Sequence, residues 1–396
     1  MLKVISTYEF EKLIESISEV DSEEIDILDS HGRVLSEDII SNINIPGFRR
    51  SAVDGYAVKS SNTYMCSETM PAILSFKENI EIGKKPSLEL ADMECSYVPT
   101  GGMIPEGADS VVMLEDVEFL GDEALINKSV STLENVVAED EDIKKGKEVI
   151  LKGTTINSTH IAILISLGIT KVKVKRQIKV GIISTGDELL SIEENIEIPK
   201  IKDTNGPFLT FASREDGCIS THYGILKDVE EGILSAVKKA LSENDIVFLS
   251  GGSSAGNKDF SEKTMLALGE LMFHGLAVKP GKPTLMAKCE GNKYIVGLPG
   301  HPLACTIIYK FVISKLIDKM YGRRANKIEQ TLEFGENYHK ARGREEYLTV
   351  TIKDGIAYPI HAKSSAMSVM AKCDGIVKID RDVEGLQKGD KVKVMR

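Results

Sequence analysis

The chain has 396 residues, a length that at roughly 100 to 200 residues per domain implies two to four domains. Hydrophobic residues make up 42% and charged residues 28%, ordinary globular usage that excludes wholesale disorder. Lys and Arg total 49 against 60 Asp and Glu, a formal net charge of −11. That balance disfavours nucleic acid or an anionic membrane as the main partner, so an anionic substrate must find local positive charge or a metal.

In chain order, Ser6-Thr7-Tyr8-Glu9 has capping-box spacing, and Phe10, Leu13, Ile14 and Ile17 follow on one helical face. From Pro46 to about Asp142 short apolar runs are punctuated by Gly and Pro, the text of a β-rich insert. Asn157 or Ser158 caps a helix that runs through Leu167 to Gly168, after which Val172 and Val174 alternate with lysines as in a strand. From Ile178 strands and helices alternate: Val180 to Ser184, a helix near Pro207 to Glu215, a helix after Asp228, and a strand from Ile246 to Ser250. This is the signature of an α/β domain with a mainly parallel sheet. Pro302 suits the first turn of a long helix carrying Ile307, Phe311, Ile313 and Leu316, with Gly322 just past its end. Beyond about Asn326 strands return, with an Asp354-Gly355 turn between two of them.

The expected domains are therefore an N-terminal helix and linker domain (1–45 and 143–177), a β-rich inserted domain (46–142), an α/β domain (178–325) and a C-terminal β domain (326–396). The longest apolar stretch, Ile161 to Ile169, is broken by Ser166 and Gly168, far short of the about 20 residues that span a bilayer. Glu9 and Glu11 stand where a signal peptide needs an apolar core, so a cytoplasmic location is expected. Six cysteines lie scattered without a Cys-x-x-Cys pair, which reads as reduced structural thiols.

Ligands of an open α/β sheet bind beyond the carboxyl ends of its strands. Thr185-Gly186-Asp187-Glu188 follows one strand, and Gly251-Gly252-Ser253-Ser254-Ala255-Gly256, then Asp259, follows another. Glycines there let backbone N–H groups approach a phosphate, with Ser250 and Ser253 adding hydroxyls. Asp187, Glu188, Asp228 and Asp259 are expected to converge on that crevice, where hard carboxylate oxygens suit Mg²⁺ bridging substrate phosphates. Asp228 reads equally well as a helix N-cap. Lys279 and Lys282, within Lys279-Pro280-Gly281-Lys282-Pro283, offer point charges to an oxyanion, or else form a solvated surface pair. At an effective dielectric near 20, each would contribute about 4 kcal/mol at about 4 Å before desolvation. Leu298-Pro299-Gly300-His301-Pro302 opens the long helix; His301 caps, packs or acts on ligand.

Together with Ser51-Ala52-Val53-Asp54-Gly55-Tyr56-Ala57 and the run from Thr100 to Asp109, these ordered motifs resemble the molybdopterin molybdenumtransferase family, which includes bacterial MoeA and the gephyrin E domain. The likeness covers nearly the whole chain. It implies a central three-layer α/β domain of molybdopterin-binding type, the β-rich insert and a small C-terminal β-barrel. The implied reaction inserts molybdate into adenylylated molybdopterin, with Mg²⁺-dependent loss of AMP and release of molybdenum cofactor. By resemblance, Asp54, Thr100 and Asp142 lie on the insert, which completes a site on the other subunit of a homodimer. Glu188, Asp228 and Asp259 handle nucleotide or metal, with Asp187 and Glu188 beside Asp259 as metal ligands. Lys279, Lys282, Arg344 and Ser365 hold molybdate, while Ser250, Gly251, Gly252, Ser253, Pro299, His301 and Pro302 bind substrate. A molybdopterin adenylyltransferase is implied as a further partner. Tungstate, close to molybdate in size and charge, is not distinguished from it.

Several positions depart from the family pattern. Val137, Ala138, Glu139 and Asp140, before Glu141-Asp142, stand where basic residues and then a glycine are usual, Gly275 replaces a residue that is often basic, His301 stands for Asn, and Ala304 for Ser. The acidic run Glu139 to Asp142 raises the Mg²⁺ requirement or weakens substrate capture, or else is a solvated loop, the reading favoured for charge runs in general. Two alternative functions remain. The α/β region alone resembles molybdopterin adenylyltransferases, which lack the Asp54-Gly55-Tyr56-Ala57 segment and the terminal β domain. A non-catalytic molybdopterin-binding scaffold is the other, against which Asp54, Glu188 and both lysines are intact.

Overall fold

The structure, a computed structural model, describes residues 4–251, 260–324, 329–361 and 363–396. Gly252, Ser253 and Asp259 lie outside the described residues. Contacts divide the chain into two compact units, Met1–Glu37 with Lys152–Ser158 and Lys171–Arg396, and Asp38–Leu151 with Thr159–Thr170.

In the first unit, helix Thr7–Glu15 opens with the full capping box: Ser6 accepts from the Glu9 N–H and Glu9 accepts from the Ser6 N–H. The centre is a six-stranded sheet in the order Ile219–Leu226, Lys179–Thr185, Ile246–Ser250, Lys293–Leu298, Leu285–Cys289, Gly269–His274. The first four strands run parallel, Leu285–Cys289 runs against them, and Gly269–His274, antiparallel to Leu285–Cys289, points the same way as the first four. Its middle strands read as continuous apolar runs because both faces are covered. Val180, Ile182, Ile246, Phe248, Tyr294 and Val296 pack with Leu209 and Ala212 of helix Asn205–Glu215 and Leu303 and Ile307 of helix Pro302–Ile308. Ile183, Val247, Leu249 and Ile295 turn the other way, onto Ile233, Val237 and Ala240 of helix Glu230–Glu243 and Met265. The period-2 alternation of one strand thus feeds two helical layers. Each buried aliphatic or aromatic side chain contributes about 1.5–3 kcal/mol.

The long helix is not uniform. Its α-helical start, Pro302–Ile308, passes through a π-helical turn at Tyr309–Ile313 into Ser314–Tyr321 and ends on Gly322 at φ +61°. Six further strands, Val278–Lys279, Glu345–Lys353, Ile356–Pro359, Glu329–Phe334, Lys391–Met395 and Gly375–Ile379, are ordered so that Glu345–Lys353 pairs with Gly375–Ile379 and closes a small barrel. Asp354 (φ +49°) and Gly355 (φ +76°) form its hairpin turn.

The second unit carries a six-stranded sheet in the order Ser110–Met113, Gly55–Val58, Glu94–Val98, Ala72–Asn79, Glu123–Ile126, Val117–Leu120. Strand Ile39–Ile40 pairs with Glu148–Ile150, so segments flanking the insert belong to this unit as well. No helix of the described residues is long and apolar enough to cross a membrane. The six cysteines are free, and burial pushes the Cys95 and Cys218 thiols up to about 12, which marks them as inert structural groups.

Candidate active site

The carboxyl ends of three parallel strands meet in the first unit. Asn205, at the start of helix Asn205–Glu215 and only 6% exposed, ties two of them together. Its Nδ2 donates to Ser250 Oγ at 2.8 Å, to the Gly300 carbonyl at 2.9 Å and to the Pro299 carbonyl at 3.4 Å. Gly251 follows at φ +106°, where a Cβ would lie 2.1 Å from the Thr185 carbonyl oxygen. Only glycine lets the two strand ends approach this closely. Ser250, Gly251 and Pro299 are therefore brought together as one rim, and His301 and Pro302 continue it into the next helix.

At the neighbouring strand end Asp187 and Glu188 are exposed. The Asp228 N–H donates to Asp187 Oδ1 at 3.3 Å, and the Glu188 carboxylate lies over Gly186, with both oxygens 2.8 Å from where a Cβ would sit. Asp228 does not cap the helix: Glu230–Glu243 is preceded by Val229, and the cap position makes no side-chain hydrogen bond. Among the described residues no three His, Cys, Asp or Glu side chains form a group that would hold a metal ion. The convergence of four carboxylates expected from the sequence thus reduces to Asp187, Glu188 and Asp228 along one edge, with Asp259 outside the described residues. Mg²⁺ bound to phosphates takes one or two carboxylates with the remaining positions left to substrate and water, and the exposed Asp187 and Glu188 carboxylates are oxygen donors of that kind.

Below this rim Asp203 is 7% exposed. Its Oδ1 accepts from the Gly206 N–H at 3.0 Å, and Oδ2 lies 3.7 Å from His222 Nε2. Burial lowers the His222 pKa, and the opposing pull of Asp203 does not reverse it. The distance fits an ion pair, but at 3.7 Å the Coulombic gain is smaller than the cost of desolvating the imidazolium. The neutral ring is the form we assign.

Lys279 opens a second feature. Val278–Lys279 pairs in parallel with Glu345 and Glu346, and Lys279 Nζ lies 2.8 Å from Glu346 Oε1. A cavity of about 220 Å³ is lined by Lys279, Tyr338, Glu346, Thr349, His361 and Ser364, with apolar Leu303, Ile307 and Ile360. Ser364 Oγ and His301 Nδ1 share a hydrogen bond of 3.0 Å, which links this cavity to the strand-end rim. His301 thus occupies the N-cap position by backbone only, and its ring serves the Ser364 contact. Lys282, Arg344 and Ser365 are exposed and do not line the cavity. Gly275 adopts φ +110°, a conformation that disfavours the basic side chain often found there. Ala304 is buried in the helix, 3% exposed.

In the second unit the antiparallel register of Gly55 with Val98 carries Asp54 to Thr100. The Thr100 N–H and Oγ1 both donate to Asp54 Oδ1, at 2.7 and 3.0 Å. Asp142 is exposed, and no hydrogen bond or ion pair joins it to Asp54 or Thr100 among the described residues. Its acidic neighbours are occupied locally: Glu139 accepts from Asn44 Nδ2 at 2.7 Å, Glu141 accepts from the Ala138 N–H at 2.9 Å, and Asp140 lies 3.8 Å from Lys144. These local contacts fit a solvated loop.

Three family models tile the chain in order: the MoeA N-terminal region (domains I and II) over residues 5–168, a probable molybdopterin binding domain over 181–319, and the MoeA C-terminal region (domain IV) over 331–396. The chain belongs to the MoeA family. A putative molybdopterin biosynthesis protein of Methanocaldococcus jannaschii is 34% identical, covering 99% of this chain and 97% of its own. A molybdopterin molybdenumtransferase of Staphylococcus epidermidis is 32% identical, covering 95% and 91%. The crystal structure of the molybdopterin biosynthesis MoeA protein of Pyrococcus horikoshii OT3 superposes with a TM-score of 0.87 at 32% identity, covering 99% of this chain and 100% of that one.

Asn205, Asp203, His222, Tyr338, Glu346 and Ser364 escaped the sequence reading. Asp203-Thr204-Asn205-Gly206 across the start of a helix is a readable signal, since Asp and Asn there bond the first free N–H groups or bridge to neighbouring loops. The other four are placed by tertiary contacts and carry no local motif.

Proposed function

We propose that this protein inserts molybdenum from molybdate into adenylylated molybdopterin, releasing AMP and molybdenum cofactor. The supporting observation is the His301–Ser364 hydrogen bond of 3.0 Å, which joins a strand-end rim suited to phosphate to a cavity whose cation is Lys279. In this reading the Gly251 rim and Ser250 receive the phosphates and nucleotide, while the oxyanion meets Lys279 in the cavity and Lys282, Arg344 and Ser365 on the exposed surface outside its lining. Asp187 and Glu188, with Asp259, would hold Mg²⁺, which neutralises phosphate charge as the AMP bond breaks. The chain's own groups then act by position: backbone N–H groups and hydroxyls fix the nucleotide, and lysines fix the oxyanion near its acceptor sulfurs. We further assign the protein to the cytoplasm as a homodimer, with Asp54, Thr100 and Asp142 completing the partner subunit's site.

The test is AMP release from adenylylated molybdopterin by the purified protein with Mg²⁺, with and without molybdate, the cofactor product being assayed in parallel. Molybdate-stimulated release with cofactor formed is the expected result. Tight substrate binding without AMP release under molybdate or tungstate would refute the transferase and identify a carrier or scaffold.

A further inference from the structure

Three cations are assigned to the oxyanion, and they are not equivalent. Lys282 and Arg344 are exposed, and no carboxylate lies within ion-pair distance of either among the described residues. Lys279 alone has an internal counter-ion, Glu346 Oε1 at 2.8 Å. The pair is asymmetric: the Lys279 side chain is 60% exposed and that of Glu346 only 7%. The carboxylate is the fixed member and the ammonium, on its flexible stem, the movable one.

Glu346 is fixed for identifiable reasons. Its neighbour Glu345 is clamped by Lys378 Nζ at 3.2 Å and by the Thr7 hydroxyl, which locks the strand. Tyr338 Oη donates at 2.9 Å to the same Oε1 that meets Lys279. One oxygen is thus shared by two donors, and both donors line the cavity. A buried carboxylate needs such partners, because leaving it unpaired away from water is costly. Burial and the adjacent Glu346 both hold the Tyr338 phenol well above its ordinary value, so it stays a donor at neutral pH.

We infer that Glu346 is a positioning residue that holds Lys279 at the cavity and competes with the incoming oxyanion for its ammonium. This rests on the transferase reading above. In the structure Lys279 is neutralised by Glu346; an oxyanion in the cavity must draw the ammonium away or share it. While the exchange lasts, Tyr338 keeps one hydrogen bond on the carboxylate. Glu346 therefore lowers the oxyanion affinity, and Tyr338 moderates that competition by stabilising the carboxylate. No covalent step is involved.

Two substitutions shift the balance in opposite directions. Glu346→Gln keeps the shape and the acceptor oxygen for Tyr338 and Lys279 but removes the competing charge. It should lower the half-saturating molybdate concentration by roughly fivefold, the upper end for an ion pair with one exposed partner. Tyr338→Phe removes the second donor, leaves Lys279 as the partner of Oε1, and should raise the half-saturating concentration by roughly twofold to fivefold. A merely structural role would move both variants the same way, toward lower activity and a lower melting temperature. The experiment measures molybdate-dependent AMP release across a molybdate titration for the wild type and both variants, with equilibrium dialysis of molybdate as a readout independent of turnover. Opposite shifts in both readouts support the inference. Wild-type response with unshifted or parallel changes in the two variants overturns it, while absence of any molybdate stimulation or binding in the wild type overturns the transferase reading on which it stands. Should Glu346→Gln fail to fold, Tyr338→Phe decides alone: tighter or unchanged molybdate binding overturns the inference.

Discussion

Asn205→Ala would test whether the rim is a built site or an incidental turn. Asn205 Nδ2 holds three acceptors, at 2.8, 2.9 and 3.4 Å, and the side chain is 6% exposed, so water cannot simply replace it. Truncation removes two well-formed hydrogen bonds and takes the donor from the buried Ser250 hydroxyl, while the carbonyl of the exposed Gly300 can turn to water. At about 1–3 kcal/mol for one buried group left without its partner, the local cost is about 1–3 kcal/mol. Asn205→Asp should cost more than Asn205→Ala, because it puts a carboxylate against two carbonyl oxygens, with the Ser250 hydroxyl the one donor among these three groups. With two units in the chain, a single unfolding free energy is not well defined. Hydrogen exchange at the ends of Ile246–Ser250 and Lys293–Leu298 reads the effect where it arises. The expected result is faster exchange there in Asn205→Ala, faster still in Asn205→Asp, with AMP release reduced in the same order. Unchanged exchange in Asn205→Ala, or an aspartate variant closer to wild type than the alanine one, would refute the reasoning.

Lys279→Ala should raise the molybdate requirement for turnover while leaving binding of adenylylated molybdopterin intact, as titration calorimetry with that substrate would check; equal loss of both contradicts the division of labour. Thr100→Val leaves the stronger of the two donors to Asp54, the backbone N–H at 2.7 Å, so its melting temperature should match wild type within about 2 °C for this exposed pair. Asp54→Ala should reduce AMP release far more than Thr100→Val, measured side by side. His222 gives a pH prediction. Its pKa in the folded protein is depressed by burial below the ordinary value of about 6.5, so the unfolded chain binds the proton more readily. The stability from the neutral ring is complete above pH about 6.5 and is lost as pH falls through the folded value. His222→Gln should flatten that decline in melting temperature, and an identical pH slope in the variant would contradict the assignment.

Local chemistry wrote the parts of the fold that the sequence announces. The capping box at Ser6 and Glu9 is present as spaced, the Asp354-Gly355 turn closes its hairpin, and Gly322 ends the long helix in the left-handed region. In each case the residues that decide the conformation are within a few positions of one another. The π-helical turn at Tyr309–Ile313 left no such mark, because the apolar pattern through Ile307, Phe311 and Leu316 suits a continuous helix equally well. Gly251 was legible as a close approach, since glycine after a buried strand has few other reasons to be there. Its neighbour across the crevice, Asn205, was not, because its acceptors at Ser250, Pro299 and Gly300 arrive from two other strand ends.

The same distinction governs the charges. A chain of net charge −11 repels an oxyanion at long range, but about 8 Å of screening at physiological ionic strength leaves the outcome to groups close to the site. Sequence alone identifies Lys279 and Lys282 as candidates and treats them alike. Tertiary pairing separates them: Lys279 lies beside Glu346 only because Val278–Lys279 joins the barrel strand Glu345–Lys353 in parallel, a contact across more than sixty positions of chain. Counting lysines therefore overstates the positive charge available to substrate, since one of them enters the reaction already paired. If Glu346→Gln and Tyr338→Phe shift the molybdate dependence in opposite directions, affinity at this site is set by competition for one ammonium rather than by the number of cations around it.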